Sequence, residues 1–367
     1  MTITFLLSHN PNPRFTKRIG EACNYSDINL IYWDRAQKKS IPFSIDQQVN
    51  IDKLTIAAPI RNNIKRILPF IVFLPKALRK LNKRKPKIIH CGKIDMLFVS
   101  VIYKLFFNSK TSIIYEVGDL PRFISTRNKV KRFITKLYML MEKRLCKKID
   151  RLVLTSEYHW LTYYKSITEE NKYIYIPNIP NEKYFHSFCK KNSGSFTIGF
   201  FGALRYPDQL KMLVEATKDM GIKVLIAGTG GEVDFVKNLE REYHHVSYLG
   251  AYNYSKDISE LYSQVDMIYA VYDLNRENVK TALPNKLFEA INCEIPIIVA
   301  EDTELGKFVE RYNIGISTPY DNLKALTNNL SKNIYEPKLN EYKLNCRKIK
   351  PMYNYDVIKK KIASLYY

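Results

Sequence analysis

Residues 283–300 read LPNKLFEAINCEIPIIVA, and this stretch decides the fold expected for the chain. Pro284 has a backbone φ already suited to a first helical turn, where its missing N–H costs nothing. Three apolar residues then follow at the i, i+3, i+4 spacing of one buried helical stripe: Leu287, Ala290 and Ile291. Residues 295–300 are a short, β-branched apolar run, typical of a strand buried on both faces of a parallel sheet. The stretch therefore predicts a helix–strand unit of an α/β fold.

Two charged residues of this helix, Lys286 and Glu289, lie three positions apart, and we expect them on its exposed face. A lysine can neutralise a phosphate group, and a glutamate can accept hydrogen bonds from both hydroxyls of a ribose. The pair would therefore suit a phosphorylated, hydroxylated ligand. An exposed salt bridge without function explains the same two residues, so the residues alone leave both alternatives open.

The rest of the second half repeats the alternation of strand and helix. Short apolar runs at 197–201, 223–227, 246–249 and 267–271 are separated by helical patterns, and the first half alternates in the same way. This order is typical of doubly wound parallel sheets. A Pro- and Asn-rich segment at 177–180 divides the two halves. We therefore expect an α/β protein of two Rossmann-like domains that face each other across a cleft.

The chain of 367 residues carries a net charge of +22, and the charge is one-sided. Residues 1–190 hold 35 Lys and Arg against 14 Asp and Glu, whereas residues 191–367 hold 23 against 22. Such a field points to an anionic surface or polymer that meets the first half. A basic nucleic-acid-binding protein is one alternative, but no recognised RNA or DNA motif accompanies the charge, so no nucleic-acid partner is expected.

Cysteine spacing and hydropathy argue against several other classes. The six cysteines are scattered without a CxxC pair, which indicates reduced thiols rather than a zinc site or a disulfide framework. The N-terminal residues lack the basic region and cleavage site of a signal peptide. The longest apolar run, residues 67–74, is interrupted by Pro69 and is too short to span a bilayer. The expected location is therefore cytoplasmic.

Several segments, in the same order along the chain, resemble the family-4-type glycosyltransferases, which have the GT-B fold. In the second half the similar segments are FFGALR (200–205), LIAGTGGEVDFVKNL (225–239), VSYLGAYNYSKDISELYSQVDMIYA (246–270) and PNKLFEAINCEIPIIV (284–299). In the first half, bacterial members that assemble capsules and lipopolysaccharides are similar in three segments, PNPRFTKRI, YWDR and YEVGDLP. IPNIPNEKYF resembles the junction between the two domains of the family.

The resemblance implies a division of labour between domains. It implies an acceptor-binding, membrane-facing domain at residues 1–178, a nucleotide-sugar-binding domain at 195–351, and a C-terminal helix at 352–367 that crosses back to the first domain. The implied activity is transfer of a sugar, with retention of anomeric configuration, from a nucleotide sugar, expected to be a UDP-sugar. The implied acceptor is a polyprenyl-diphosphate-linked saccharide of capsule, lipopolysaccharide or exopolysaccharide assembly. A sugar-nucleotide 2-epimerase on the same fold is the alternative enzyme.

The donor-site residues implied by the resemblance lie in the second half. Breaking the glycosidic bond leaves a growing negative charge on the diphosphate, which a metal ion, or fixed cations and helix N-termini, can stabilise. Because no DxD triad lies in a suitable loop, we expect metal-independent chemistry, with Arg205, after the turn at Gly202, and Lys286 as the cations. Glu289 is expected to take the ribose diol. The backbone around two further residues is expected to hold the base: Ala251 and Tyr252. No cofactor is expected, and the glycine turn at 228–231 is interpreted as structural.

Two positions depart from the family pattern. Thr281 stands where the family commonly has the first of two glutamates, the second being Glu289. Another group must therefore take over the role of that first carboxylate in holding the donor sugar. Glu294 replaces the glycine that usually follows the helix cysteine, and we expect this change to alter only the end of the helix.

In the first half, the resemblance implies that Asp119, in YEVGDLP, faces the acceptor. There it would take the proton of the attacking hydroxyl. The alternative is a loop carboxylate that caps a helix. His90, within an apolar strand, is interpreted as a core histidine. Arg14 and Lys17 either meet an anionic acceptor or face water.

Two segments, 61–87 and 128–148, set leucines, isoleucines and phenylalanines against dense Lys and Arg. In the second segment the apolar residues are expected on one side of a long helix: Val130, Phe133, Ile134, Leu137, Leu140, Met141 and Leu145. Helices of this composition lie in a membrane interface, with their cations among anionic headgroups. This interpretation predicts a peripheral protein on the inner face of the cytoplasmic membrane, with an anionic membrane surface as partner. The alternative is that the apolar residues pack on the domain's own sheet. Within the first segment, we expect the helix to be broken at Pro69 and Pro75.

Overall fold

A computed structural model describes residues 2–36, 45, 47–59, 64–118, 120, 129–191 and 194–367. The chain divides into two compact units. Unit 1 comprises Met1–Pro177 and Lys359–Tyr367, and unit 2 comprises Asn178–Ile358. Each unit is a parallel α/β domain, so the predicted fold class is confirmed. In the described part of the chain, no helix combines the length and hydropathy needed to cross a bilayer.

Unit 1 is built on a seven-stranded parallel sheet within the described residues. Its strands are β1 (Thr2–Leu7), β2 (Asp27–Asp34), β3 (Asn50–Thr55), β4 (Ile88–Gly92), β5 (Ser112–Val117), β6 (Arg151–Leu154) and β7 (Tyr173–Tyr175). Its helices are α1 (Pro13–Ala22), α2 (Ile67–Arg84), α3 (Ile94–Phe106), α4 (Lys129–Cys146) and α5 (Glu157–Thr162). The strand order across the sheet is β3-β2-β1-β4-β5-β6-β7.

Unit 2 is built on a six-stranded parallel sheet. Its strands are β8 (Thr197–Phe201), β9 (Lys223–Ala227), β10 (Val246–Tyr248), β11 (Met267–Ala270), β12 (Ile297–Ala300) and β13 (Gly315–Thr318). Its helices are α6 (Pro207–Thr217), α7 (Val233–Glu242), α8 (Tyr254–Ser263), α9 (Glu277–Thr281), α10 (Asn285–Cys293), α11 (Glu304–Tyr312), α12 (Leu323–Asn333) and α13 (Glu336–Ile349). The strand order is β10-β9-β8-β11-β12-β13. A last helix, α14 (Tyr355–Ala363), begins in the residues of unit 2 and ends in those of unit 1.

Both sheets reverse their strand order at their first strand. β1 lies between β2 and β4 in unit 1, and β8 lies between β9 and β11 in unit 2. In open α/β sheets, ligands bind outside the carboxyl ends of the strands at such a reversal. The fold therefore prepares one ligand site at the carboxyl edge of each sheet.

The stretch that predicted the fold forms a helix and a strand, α10 and β12. Its predicted stripe is buried, as the spacing requires: Leu287, Ala290 and Ile291. Pro284 is the N-cap residue rather than the first helical residue, with φ −75° and ψ 158°. Glu294 ends the helix in the left-handed region, at φ 56°, and accepts hydrogen bonds from the guanidinium of Arg347. The glutamate thus takes the left-handed conformation that glycine adopts most readily at a helix end.

Helix α2 runs unbroken through both prolines, which corrects the predicted interruption. Pro69 lies in the first turn, where a backbone N–H has no helical partner to lose. Pro75 lies inside the helix and removes one hydrogen bond, to the carbonyl of Ile71, whose side chain is exposed to solvent. Water can satisfy that carbonyl, so the sequence tolerates proline there.

Helix α4 packs on unit 1 with its apolar stripe exposed to solvent. Its face toward the sheet carries Glu142, which is fully buried and accepts hydrogen bonds from three tyrosine hydroxyls at 2.7–3.0 Å: Tyr115, Tyr163 and Tyr164. The exposed face carries most of the predicted apolar stripe: Phe133, Ile134, Leu137, Leu140 and Met141. Leu145, predicted on the same stripe, is buried instead. Apolar stripes normally face the core, so this helix is anchored by a polar contact and presents its apolar side outward.

The core of unit 1 also contains a polar cluster around Glu116. Its carboxylate lies 2.9 Å from Arg14 Nε, 3.2 Å from Arg18 Nε and 3.1 Å from His90 Nε2. His90 Nδ1 lies 2.9 Å from the hydroxyl of Tyr366, and both side chains are buried. His90 is therefore the satisfied core histidine that its strand position indicates. Arg14 is tied to Glu116, so it does not simply face water.

Candidate functional site

The carboxyl edge of the unit 2 sheet is shaped by two glycine turns that lie side by side. Gly202, at φ 136°, follows β8, and its N–H donates to the carbonyl of Ala227 at 2.9 Å. A Cβ atom on Gly228 would lie 1.8 Å from the carbonyl oxygen of Gly202, so only glycine permits this approach. These contacts give the 228–231 turn a structural reason to be rich in glycine.

Lys286 lies in the first turn of α10 and is enclosed by aromatic side chains. Its side chain is 9% exposed. The ammonium Nζ lies 3.7 Å from the ring centroid of Phe200 and 3.2 Å from the hydroxyl of Tyr272. Gly202 is immediately adjacent, since a Cβ there would lie 3.6 Å from Lys286 Cε. Burial lowers the pKa of Lys286 to about 7, although the charge of Glu289 acts in the opposite direction. An anion entering this site would stabilise the charged form of the lysine.

Glu289 lies one turn further along α10 and is 3% exposed. Its carboxylate accepts hydrogen bonds from the hydroxyls of Tyr254, at 2.6 Å, and Tyr262, at 2.8 Å. The prediction that Lys286 and Glu289 lie on an exposed face is therefore wrong, and so is the alternative of an exposed salt bridge. The physical reason is that α8 and the ends of β8 and β11 supply aromatic side chains that enclose this face of α10.

A row of two aromatic rings between two cations continues from Lys286 to the surface. The Tyr272 ring lies 5.0 Å from the Tyr206 ring, and the guanidinium of Arg276 lies 4.9 Å from the Tyr206 ring. Arg276 also donates to the backbone carbonyl of Arg205 at 3.2 Å, while the residue Arg205 is itself exposed. Three residues of this row were not predicted from the sequence: Tyr206, Tyr272 and Arg276. A tyrosine directly after a strand end, as in AVYDLNR, is the signal that would have found one of them.

The two remaining predicted donor residues lie close to Glu289 and to the second glycine turn. Ala251 and Tyr252 follow β10, and the Gly250 carbonyl just before them accepts from Gly228 N–H at 2.7 Å. Burial and the charge of Glu289 raise the pKa of Tyr252, which places this residue near the carboxylate. Thr281 is the last residue of α9, and Asp119 lies outside the described residues.

In the described part of the chain, no group of three His, Cys, Asp or Glu side chains is arranged to hold a metal ion. The cationic groups of the unit 2 site are instead Lys286 and the arginines near the surface, with the N-terminus of α10 beside them. The arrangement can bind an anion through fixed charge and present a buried carboxylate to hydroxyl groups.

Comparison with known proteins agrees with this chemistry. Residues 195–334 match the profile of the family described as Glycosyl transferases group 1. The chain is 27% identical to the succinoglycan biosynthesis protein ExoL of Rhizobium meliloti (strain 1021), in a match that spans 69% of this chain and 66% of that protein.

Solved structures similar to this chain cover its whole length. Sucrose-phosphate synthase from Thermosynechococcus elongatus has a TM-score of 0.73 at 15% identity, with 100% of this chain and 98% of that chain covered. Alr3699/HepE from Anabaena, solved in complex with UDP, has a TM-score of 0.72 at 16% identity, with 100% and 99% covered. The predicted family resemblance and the prediction of a glycosyltransferase are confirmed. Residues 195–334, within the second unit, are similar to the Glycosyl transferases group 1 family, and the chain as a whole has the GT-B fold of these solved structures.

Proposed function

We propose that the protein transfers a sugar from a UDP-sugar to a polyprenyl-diphosphate-linked saccharide during assembly of a bacterial surface polysaccharide, with retention of anomeric configuration. The observation that carries the proposal is the enclosed Lys286, three residues before a buried carboxylate, at the strand-order reversal of unit 2. Two comparisons support it: Alr3699/HepE holds UDP in its crystal structure, and ExoL is named for succinoglycan biosynthesis.

In this proposal the departing diphosphate is stabilised without a metal ion. Lys286 and the first N–H groups of α10 meet the charge that grows as the glycosidic bond breaks. The enclosure by Phe200 and Tyr272 keeps water away, which strengthens each electrostatic contact. Glu289 accepts the ribose hydroxyls through a carboxylate that Tyr254 and Tyr262 hold in place. The backbone around Ala251 and Tyr252 holds the base, and Gly202 and Arg205 border the phosphates.

The test is UDP binding by calorimetry to the parent, Lys286→Met and Glu289→Ala, with EDTA present. Each variant removes a charge-assisted hydrogen bond worth about 1.5–3 kcal/mol, so each should weaken binding by roughly 10- to 100-fold. Lys324→Ala, on the exposed face of α12, is the matched control and should bind as the parent does. Parental UDP affinity in a folded Lys286→Met or Glu289→Ala variant would contradict the proposed site. A strict Mg²⁺ requirement for turnover would contradict the metal-independent mechanism.

Asp119 is the proposed base for the acceptor hydroxyl. In the sequence it comes directly after Gly118, and the preceding strand, β5, ends at the edge of the unit 1 sheet at which the fold prepares a ligand site. The carboxylate would take the proton as the hydroxyl attacks the anomeric carbon.

We further propose that unit 1 rests on an anionic membrane surface, where a lipid-linked acceptor would be presented. Both α2 and α4 follow a strand and run back to the next one, so each helix begins at the carboxyl edge of the sheet. Exposed apolar residues occupy the first half of α2, among them Leu68, which is 75% exposed. On α4 they include Phe133, which is 62% exposed. Basic residues follow in the second half of α2, and they are spread along the whole of α4. Apolar insertion beside headgroup-binding cations is the pattern of an interfacial helix.

Vesicle co-sedimentation tests this surface. A variant with Phe133, Leu137 and Leu140 all changed to Ser should no longer sediment with vesicles that contain phosphatidylglycerol. The matched control is Leu105 and Phe106 changed to Ser, because these exposed residues end α3 at the opposite edge of the sheet. Lys80 and Arg84 make poor test positions, since both pair with Asp52, at 2.6 and 2.9 Å. Equal sedimentation of the α4 variant and the parent would contradict the proposal.

A further inference from the structure

Helix α3 ends in three consecutive apolar residues that lie outside the core. Leu105, Phe106 and Phe107 are 55%, 78% and 50% exposed, whereas the inner face of the preceding turns is buried. Because α3 follows β4 and leads back to the start of β5, these residues lie at the edge where the strands of unit 1 begin. We name the three residues the α3 knob.

Local packing holds the α3 knob in one position. The ring of Phe107 stacks on the buried ring of Tyr103, with 5.8 Å between the centroids and 7° between the planes. The backbone N–H groups of Phe107 and Asn108 both donate to the carbonyl of Tyr103, at 2.9 and 3.1 Å. An apolar group that is already fixed loses little entropy on binding, so the knob is suited to act as an anchor.

The segments that lead into β4, β5 and β6 surround the knob with positive charge. The N–H of Ser112, just before Ile113 of β5, donates to the carbonyl of Lys87 at 2.8 Å, and Lys104 Nζ lies 3.4 Å from the carbonyl of Lys148. Five lysines of these segments are exposed, and none of them has an ion-pair partner within the described residues: Lys85, Lys87, Lys110, Lys147 and Lys148.

The carboxylate that lies among these lysines is already engaged. Asp150 accepts from Lys104 Nζ at 2.8 Å and from the N–H of Ile113 at 2.8 Å. Glu169 and Glu170 stand before β7, one strand beyond β6. The border of the knob at β4, β5 and β6 is therefore positively charged.

The knob has the size of the apolar centre of a protein interface. A whole aromatic side chain has roughly 150–250 Å² of surface, so the exposed parts of the three residues amount to about 300–400 Å². Apolar patches of about 300–600 Å² on monomeric proteins are often functional. Protein interfaces combine such an apolar centre with a polar rim, and the lysines supply that rim here.

The charge around the knob selects its occupant. In helix packing, a protruding apolar side chain fits a hole between four side chains on the apolar stripe of the facing helix. Asp and Glu beside such a stripe would meet the unpaired lysines. In a two-fold dimer of this chain the same lysines would face each other, which disfavours a second copy as the occupant.

The knob also lies apart from the proposed membrane surface. Helix α3 begins at the carboxyl edge of the sheet and runs for 13 residues, about 20 Å, before it reaches the knob. The exposed apolar stripe of α4 ends at Met141, and the last turn of that helix is basic. A bilayer that contacts the first turns of α2 and α4 therefore leaves the knob available to another partner.

We propose that the α3 knob docks an acidic amphipathic helix of a partner protein. Phe106, the most exposed of the three residues, would enter the apolar stripe of that helix, and the lysines would pair with the carboxylates on either side of it. This inference goes beyond the proposed function, because it concerns neither the sugar donor nor the acceptor. It gives unit 1 a protein-binding face at the edge opposite the proposed ligand site.

The test measures binding of two synthetic helical peptides to the full chain by fluorescence anisotropy. Both peptides carry leucine at the a and d positions of three heptads; one carries glutamate at the flanking positions and the other carries lysine. The glutamate peptide should bind the parent about tenfold or more tightly than the lysine peptide, and high salt should weaken it.

Two variants and one control locate the binding. Changing Leu105 and Phe106 together to Ser should weaken the glutamate peptide by about tenfold or more, with UDP affinity unchanged as evidence of folding. Changing Lys147 and Lys148 together to Gln should weaken it less and reduce its salt dependence. Leu161→Ser, on α5, is the matched control, because Leu161 is 67% exposed and lies outside the knob.

Four results would overturn the inference. Equal affinities for the two peptides would exclude charge complementarity, and parental binding by the Leu105 and Phe106 variant would exclude the knob. Loss of sedimentation by that variant with phosphatidylglycerol vesicles would assign the knob to the membrane. Tighter binding of single-stranded DNA than of the glutamate peptide, weakened by the same two changes, would assign it to a nucleic acid.

Discussion

The carboxyl edges of the two sheets hold charge in opposite ways. In unit 2, Lys286 is enclosed by aromatic rings and the neighbouring Glu289 is held by neutral tyrosine hydroxyls. In unit 1, the buried carboxylate of Glu116 is held by two arginines. A lysine in an apolar enclosure gains its full charge when an anion arrives, whereas arginines are charged at all working pH values. The comparison shows that the same strand order can support either an anion site whose cation titrates or a site whose cations are permanently charged.

The largest effect should separate chemistry in unit 1 from donor binding in unit 2. Asp119→Asn keeps the shape of the side chain but removes its basicity, so turnover should fall by about 10²–10⁴-fold. UDP affinity, measured by calorimetry, should stay at the parental value. Turnover near that of the parent would contradict the role of Asp119 as a base and favour the alternative of a helix-capping carboxylate.

The next effect concerns the stability of unit 1. Glu116→Gln should lower the free energy of unfolding by about 3–5 kcal/mol, because buried arginines lose their counter-charge. Both tryptophans, Trp33 and Trp160, lie in unit 1, so urea denaturation followed by their fluorescence reports on this unit.

Acid should remove the difference between the parent and this variant. The surrounding cations hold the pKa of Glu116 well below its usual value of 4.5, although burial opposes them. Its stabilisation is therefore present above about pH 4.5 and is lost as the pH falls below that value. Glu142→Gln is the matched control, since burial raises the pKa of Glu142 and a neutral side chain should cost about 1 kcal/mol or less. Equal losses in the two variants would contradict the comparison.

The smallest effect is the pH dependence of UDP binding. The pKa of Lys286 is about 7 in the free protein, and a bound diphosphate favours the charged form. UDP affinity should therefore fall by up to about tenfold per pH unit as the pH rises above 7. Lys286→Met reports the ionisation of UDP itself, so the difference between the two profiles isolates the lysine. Parallel profiles for the two proteins would show that Lys286 does not titrate in this range.

A structural feature could be predicted from the sequence when the residues that cause it are close together along the chain. Residues 283–300 carry their own periodicity and capping signals, so α10 and β12 were predictable. The enclosure of Lys286 was not, because Phe200 and Tyr272 come from other strands and meet it only in the folded sheet. The outward stripe of α4 was left open for a similar reason. Periodicity marks an apolar face, but the tyrosines that anchor Glu142 come from β5 and from residues after α5.

The contact between His90 and Tyr366 has a consequence for how the protein forms during synthesis. The core of unit 1 is completed by residues that follow α13, including Ile362, Leu365 and Tyr366, all of them buried. The ribosome makes these residues after the whole of unit 2. Synthesis of unit 1 therefore starts before that of unit 2, but its core is completed only afterwards. Unit 2 can fold before the last segment of unit 1 has been made. Ribosome-stalled chains that end before residue 362 should thus contain a folded unit 2 beside an incomplete unit 1.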